Sequence, residues 1–206
     1  MIEVLESALR PCDRLVVAFT GVSHALGAIP FEFHKSMGAL DCAALFVRDL
    51  GRRWYQYDEA TIADLTERIQ QAVARSGASR VTFLGNSMGG FGALYFGSRM
   101  NADAILAFAP QTAIDPLVTE SMGDDRWREH QASISAYPFG DLAREAPAKG
   151  RVAVYYGVKA ELDAAHVNRL SARWPMEQIA IPDCGHDVAG RLKAQNELIP
   201  LIARTI

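Results

Sequence analysis

Gly85-Asn86-Ser87-Met88-Gly89 sets one serine midway between two glycines, directly after the apolar run Val81-Thr82-Phe83-Leu84 and directly before Phe91-Gly92-Ala93-Leu94-Tyr95-Phe96. A serine projecting from a sharp strand-to-helix turn can attack an acyl carbon. The residues two before and two after it must then lack side chains, or they would collide with the neighbouring strand and helix. The helix that begins beyond Ser87 brings its N-terminus toward a developing oxyanion, with the Met88 N–H as one donor.

A serine hydroxyl is a poor nucleophile until a base takes its proton and an acid orients that base. Where the nucleophile sits on such a turn, the order along the chain is serine, then Asp or Glu, then histidine, each on a loop after a strand. Of the five histidines, His24 and His34 precede Ser87, His130 lies in a segment without strand pattern, and His166 lies in a helical stretch. That leaves His186, in Pro182-Asp183-Cys184-Gly185-His186-Asp187 after the last strand. Asp163 is the first choice of acid, on the loop after the fifth strand, although it also reads as a helix N-cap before Ala164-Ala165-His166-Val167. Glu161, two residues away, and Asp115, after the fourth strand, are its rivals. The second oxyanion donor is expected on the loop after the first strand, Thr20-Gly21-Val22-Ser23-His24. Gly21 allows close approach there, the Val22 N–H is the expected donor, and Ser23 and His24 are candidates to line the site.

The elements that must position these residues alternate along the chain. Strand-length apolar runs are Leu15-Val16-Val17-Ala18-Phe19, Ala43-Ala44-Leu45-Phe46-Val47, Val81-Thr82-Phe83-Leu84, Ala104-Ile105-Leu106-Ala107-Phe108, Val152-Ala153-Val154-Tyr155-Tyr156 and Gln178-Ile179-Ala180-Ile181. Between them lie helical patterns, notably Thr61 to Arg75, with Ile62, Leu65, Ile69 and Val73 on one face and Gly77 as its stop. A last helix is expected from Val188 to Arg204, packing Leu192, Leu198 and Ile202 inward, with Pro200 as the candidate break in its final turn. The pattern predicts an α/β fold: a three-layer α/β/α sandwich around a mostly parallel sheet. The whole chain, 1–206, reads as one domain, with residues 111–150 as a short cap-like excursion, part loop and part short helix, over the strand ends.

Composition narrows the classes of function. Of 206 residues, 50% are hydrophobic and 22% charged, with a net charge of −3. This gives no electrostatic footprint for nucleic acid or an anionic membrane. No apolar run approaches the length of a bilayer span. The N-terminal Met1-Ile2-Glu3-Val4-Leu5-Glu6 is acidic where a secretion signal would be basic. Three scattered cysteines, Cys12, Cys42 and Cys184, fit a reducing compartment, so the expectation is a cytoplasmic protein. Cys184 reads as a small packed residue beneath the histidine loop. The chemistry calls for no cofactor, and Asp124-Asp125 lacks a third ligand at metal spacing.

These residues resemble the α/β-hydrolase superfamily, over nearly the whole chain from Leu15 onward. The resemblance implies acyl transfer to serine followed by hydrolysis. Phe19-Thr20-Gly21, Phe46-Val47-Arg48-Asp49, Arg53-Trp54-Tyr55, Gly85-Asn86-Ser87-Met88-Gly89-Gly90, Ala107-Phe108-Ala109-Pro110-Gln111-Thr112 and Gly185-His186-Asp187 are similar to a narrower group of small bacterial serine hydrolases. Modules of that kind accompany proteins of bacterial polysaccharide biosynthesis. The chain departs from the superfamily in two places. The lead-in before Leu15 is too short for two further N-terminal strands, which implies a trimmed sheet, and the first oxyanion loop is not the HGGG type.

Other residues read two ways. Trp54 and Tyr55, with Arg48 or Arg53, form either an aromatic wall that grips a substrate or packing over the sheet edge. Asp124-Asp125-Arg126-Trp127-Arg128 is either a lid element or a solvated turn anchored by Trp127. For function, three readings stand: an esterase acting on a small acyl ester, including a carbohydrate ester; an acyltransferase to a hydroxyl such as a sugar's; or a silent binding module of the same fold. The intact Ser87 turn and His186 count against the last. The short excursion suits a small acyl group better than a long buried lipid chain. Oligomeric state is left open.

Overall fold

A computed structural model describes residues 1–25 and 31–206, with the side chains of Ser7, His24 and Ala25 outside the described set. Seven strands, β1 (Ile2–Ala8), β2 (Arg14–Phe19), β3 (Ala43–Asp49), β4 (Arg80–Asn86), β5 (Ala104–Phe108), β6 (Arg151–Gly157) and β7 (Glu177–Ile181), form one sheet in the order β1-β3-β2-β4-β5-β6-β7. All neighbouring pairs are parallel except β1 with β3, which is antiparallel.

The central strands are apolar throughout because both faces are covered. Leu15, Val17 and Phe19 point into one core with Leu65, Ile69, Phe91 and Leu94. Val16 and Ala18 point into the other with Val188, Leu192 and Ile202. Helices α2 (Glu59–Ser76), α3 (Met88–Arg99) and α6 (Glu161–Ser171) thus cover one face. Helices α1 (His34–Met37), α7 (Val188–Ala194) and α8 (Leu198–Ala203) cover the opposite one. The three-layer α/β/α sandwich and its mostly parallel sheet follow the sequence pattern. Helix α2 is capped by Asp58, whose carboxylate accepts from the Thr61 N–H, and stops at Gly77 (φ 67°).

The lead-in before Leu15 supplies one strand, β1, and not two, so the sheet is trimmed as expected, with an antiparallel edge that the short, mixed sequence did not announce. One expectation changes. The expected long final helix is two helices. The break falls at Asn196, held at φ 59°, and not at Pro200, which lies in the first turn of α8 where its missing N–H costs nothing. The segment 111–150 is part loop and part short helix, with α4 (Pro116–Ser121), α5 (Arg128–Gln131) and a 3-10 turn at Leu142–Arg144. Among the described residues, no helix is long and apolar enough to cross a membrane.

Candidate active site

The turn between β4 and α3 holds Ser87 at φ 55°, ψ −119°, a conformation unfavourable for a side-chain-bearing residue. The surroundings enforce it. A Cβ on Gly85 would overlap the Gly89 carbonyl, and one on Gly89 would overlap the Phe19 carbonyl of β2. The Ser87 N–H donates to the Phe108 carbonyl at 2.8 Å, which ties the turn to β5. Met88 is the first residue of α3, so its N–H has no acceptor within the helix.

The segments that follow β6 and β7 bring the partners to this turn. After β6 and β7 the chain is cross-linked by Val158 N–H to the Ile181 carbonyl (3.1 Å) and Lys159 N–H to the Cys184 carbonyl (2.8 Å). Asp187 caps α7 by accepting from the Gly190 N–H at 3.0 Å, and this fixes the segment carrying His186. His186 Nε2 lies 3.0 Å from Ser87 Oγ and Nδ1 lies 2.7 Å from Asp163 Oδ2. Ser87 and Asp163 are buried, whereas the His186 side chain is 37% exposed.

Burial opposes ionisation of Asp163, but the hydrogen bonds and charges of His186 and Arg126 outweigh it and hold the carboxyl below the ordinary aspartate range. An ionised Asp163 accepts the Nδ1–H, which leaves the Nε2 lone pair for the Ser87 hydroxyl. Such a chain can carry a proton from the serine oxygen to the imidazole while Asp163 keeps its charge.

Asp163 is not on a loop and is not a cap. It sits in the first turn of α6, whose N-cap is Ala160. Its rivals lie elsewhere: Asp115 caps α4 by accepting from the Leu117 N–H (3.0 Å), and Glu161 is exposed. Close to Ser87, Gly21 is buried and Val22 heads the 3-10 turn Val22–Ala25, whose first N–H has no acceptor in the turn. Ser23 is exposed, and the His24 side chain lies outside the described residues.

The aromatic-wall expectation is corrected. Trp54 and Tyr55 are both fully buried, and Tyr55 packs edge-on against Phe19 and Phe96. Arg48 is buried on β3 and pairs with Glu3, while Arg53 lies over the Tyr57 ring. Asp49 accepts from the Gly51, Arg53 and Tyr55 N–H groups, which stabilises a turn with Arg52, Trp54 and Tyr55 all at positive φ. That turn delivers Trp54 Nε1 to Gln111 Oε1 (3.2 Å).

Three groups at the site went unread in the sequence. Gln111 Oε1 also lies 3.2 Å from Ser87 Oγ, so it is a second acceptor for the one serine proton. Trp54 can only donate, so it fixes which end of the amide faces Ser87 and leaves the buried Gln111 Nε2 without a partner among the described residues. Arg126, from the excursion, donates to Asp163 Oδ1 at 2.8 Å and holds Asp124 in two further bonds of 2.9 and 2.7 Å. Both the lid and the solvated-turn readings of 124–128 therefore miss its place beside the acid. Glu32, after the first-strand loop, accepts from the Gly21 N–H (2.7 Å) and from Asn86 Nδ2 (2.9 Å). Only the Ala107–Thr112 stretch carried a signal, through its likeness to small hydrolases.

The sheet order, the antiparallel edge and the strained serine turn make this an α/β-hydrolase fold. A family model described as an uncharacterised protein family, UPF0227, matches residues 45–143. Among solved structures the chain is similar to an esterase from the planctomycete Thermogutta terrifontis (14% identity, 98% of this chain and 87% of that one, TM-score 0.62). It is also similar to the capsule O-acetyltransferase of Neisseria meningitidis serogroup A (16% identity, 93% and 88%, TM-score 0.69). A third similar structure is a putative hydrolase of the α/β superfamily from Xanthomonas campestris pv. campestris (15% identity, 95% and 100%, TM-score 0.55). A search of curated protein sequences finds no match.

Proposed function

We propose that the chain is a serine esterase that cleaves a small acyl ester through an acyl-serine intermediate, with Ser87 as nucleophile, His186 as general base and acid, and Asp163 as the orienting carboxylate. The observation that carries this reading is His186, which spans Ser87 Oγ and Asp163 Oδ2 with its two ring nitrogens. Ser87 Oγ attacks the acyl carbonyl as its proton passes to His186 Nε2, and the Met88 and Val22 N–H groups take up the oxyanion. Collapse expels the alcohol, which receives that proton. Water then attacks the acyl-serine, with His186 again as base, and frees Ser87. Residues 111–150 belong to the same catalytic unit, since Gln111 and Arg126 sit in it. The three free cysteines fit a reducing, cytoplasmic setting.

A second reading, acyl transfer to a hydroxyl such as a sugar's, is favoured by the likeness to the capsule O-acetyltransferase. It differs only in which hydroxyl replaces water. A fluorophosphonate probe separates catalysis from silent binding: wild type should be labelled and Ser87→Ala should not. Labelling retained at another residue would sink the assignment. Turnover of para-nitrophenyl acetate should exceed that of the palmitate, and the reverse order would remove the small-acyl reading. Added sugar alcohols that divert acetyl from water to themselves would select transfer.

A further inference from the structure

We propose that Glu32 is a positioning residue that fixes the oxyanion loop against the nucleophile turn. The inference rests on the acyl-serine reading above. Its carboxylate uses one oxygen on the Gly21 N–H and the other on Asn86 Nδ2. Gly21 directly precedes Val22, and Asn86 directly precedes Ser87. One side chain therefore ties together the two segments that must keep their spacing if an N–H from each side is to meet the same oxyanion. The segments approach closely: a Cβ added at Gly21 would lie 3.0 Å from the Asn86 carbonyl oxygen and 3.6 Å from Ser87 Cβ. Parallel β2 and β4 bring the two chain segments side by side, but their pairing ends at Phe19 with Gly85. Beyond that point Glu32 supplies the bridge.

Only the ionised carboxyl accepts from both donors without placing a proton of its own between them. Burial raises the Glu32 carboxyl to about 7, against the opposing pull of the Gly21 and Asn86 hydrogen bonds. The charged and titratable groups around it are Asp187 and His186 on the histidine loop, Tyr55 beneath the site, His34 and Lys35 on α1, and Lys193 on α7. Because the folded value lies above the ordinary one, Glu32 favours the folded state below about 4.5 and loses that contribution as pH rises through about 7. The bridge therefore forms at the expense of stability.

This opposition makes the test decisive. For Glu32→Ala, kcat for para-nitrophenyl acetate should fall about 10- to 100-fold, below the loss from deleting an oxyanion donor outright. KM should stay within about twofold, and the Tm at pH 8 should not fall. Glu32→Gln keeps one acceptor, so its kcat should lie between wild type and Glu32→Ala, and it carries the test if the alanine variant fails to fold. The Tm of Glu32→Gln should also decline less than that of wild type between pH 5 and 8. Unchanged kcat in both variants, or a kcat loss matched by a lower Tm at pH 8, overturns the proposal. Ser87→Ala assayed alongside separates the two levels: if it stays active, the acyl-serine reading fails first and Glu32 positions nothing.

Discussion

Asp163–His186 and Asp124–His166 are two aspartate–histidine pairs joined by one guanidinium, since Arg126 donates to both carboxylates. The separations are alike, 2.7 Å for the first and 2.9 Å for the second. The differences lie beyond the pairs. His166 is fully buried, and its Nδ1 accepts from the Thr112 N–H at 3.1 Å, so its ring proton is on Nε2 and is given to Asp124. Both nitrogens are spent within the fold. His186 is partly exposed on a loop, and its Nε2 faces a hydroxyl held in a strained turn. An aspartate–histidine pair can thus serve packing alone. It becomes a candidate base only where one nitrogen is left for a reacting group.

The largest expected effects break the two pairs separately. His186→Ala should lower kcat by about 10⁴ or more at nearly unchanged stability, because it removes the base from a partly exposed loop. His166→Ala should act the other way. It strands the buried Thr112 N–H and one bond of Asp124, so urea unfolding should show a loss of about 2–3 kcal/mol. The kcat of the folded fraction should stay within about tenfold of wild type. If both variants lost activity alike at full stability, the contrast between the pairs would be wrong.

A middle effect is expected at the link. In Arg126→Met the charge goes while much of the stem remains. Burial already pushes the Asp163 carboxyl up, and Arg126 is one of the groups that hold it down. Without Arg126 the Asp163 pKa rises, so kcat/KM on the acid side should begin to fall at a higher pH than in wild type. At neutral pH a loss of about 10- to 100-fold is expected, less than removal of the base itself. An unshifted acid limb would mean that Arg126 serves Asp124 alone.

How much of this was legible follows from the range of each interaction. Strands β2 to β7 and helix α2 are written in local periodicity, and the Ser87 turn in the glycines around it. His186 could be chosen from chain order alone. Strand β1 was not legible, because an edge strand with Glu3 and Glu6 lacks the apolar run that marks its neighbours. The break at Asn196 was hidden by a more conspicuous proline four residues on. Arg126, Gln111 and Glu32 reach the site across 37, 24 and 54 residues of sequence, to Asp163, Ser87 and Asn86 respectively. No spacing rule encodes contacts of that kind. Trp54 and Tyr55 read equally as a wall or as packing because their types suit both, and what decides for packing, the Asp49-centred turn that buries them, depends on three N–H groups converging on one carboxylate.

The smallest expected effects test the acid, where the sequence offered three carboxylates and the geometry sets one beside His186. Asp115→Ala removes the cap of α4, which should cost about 1 kcal/mol of stability. Its kcat should stay within about twofold, because the carboxylate is occupied by the Leu117 N–H on the excursion. Glu161→Ala, at an exposed position in the first turn of α6, should change stability by no more than about 0.5 kcal/mol and kcat by no more than about twofold. Asp163→Asn assayed beside them supplies the scale, with an expected loss near 10⁴ from an imidazole held in the wrong tautomer. A loss in either rival as large as that of Asp163→Asn would move the orienting role to it. It would also require a rearrangement when substrate binds, of the segment after β5 for Asp115 or of the start of α6 for Glu161, since neither rival's carboxylate touches His186 here.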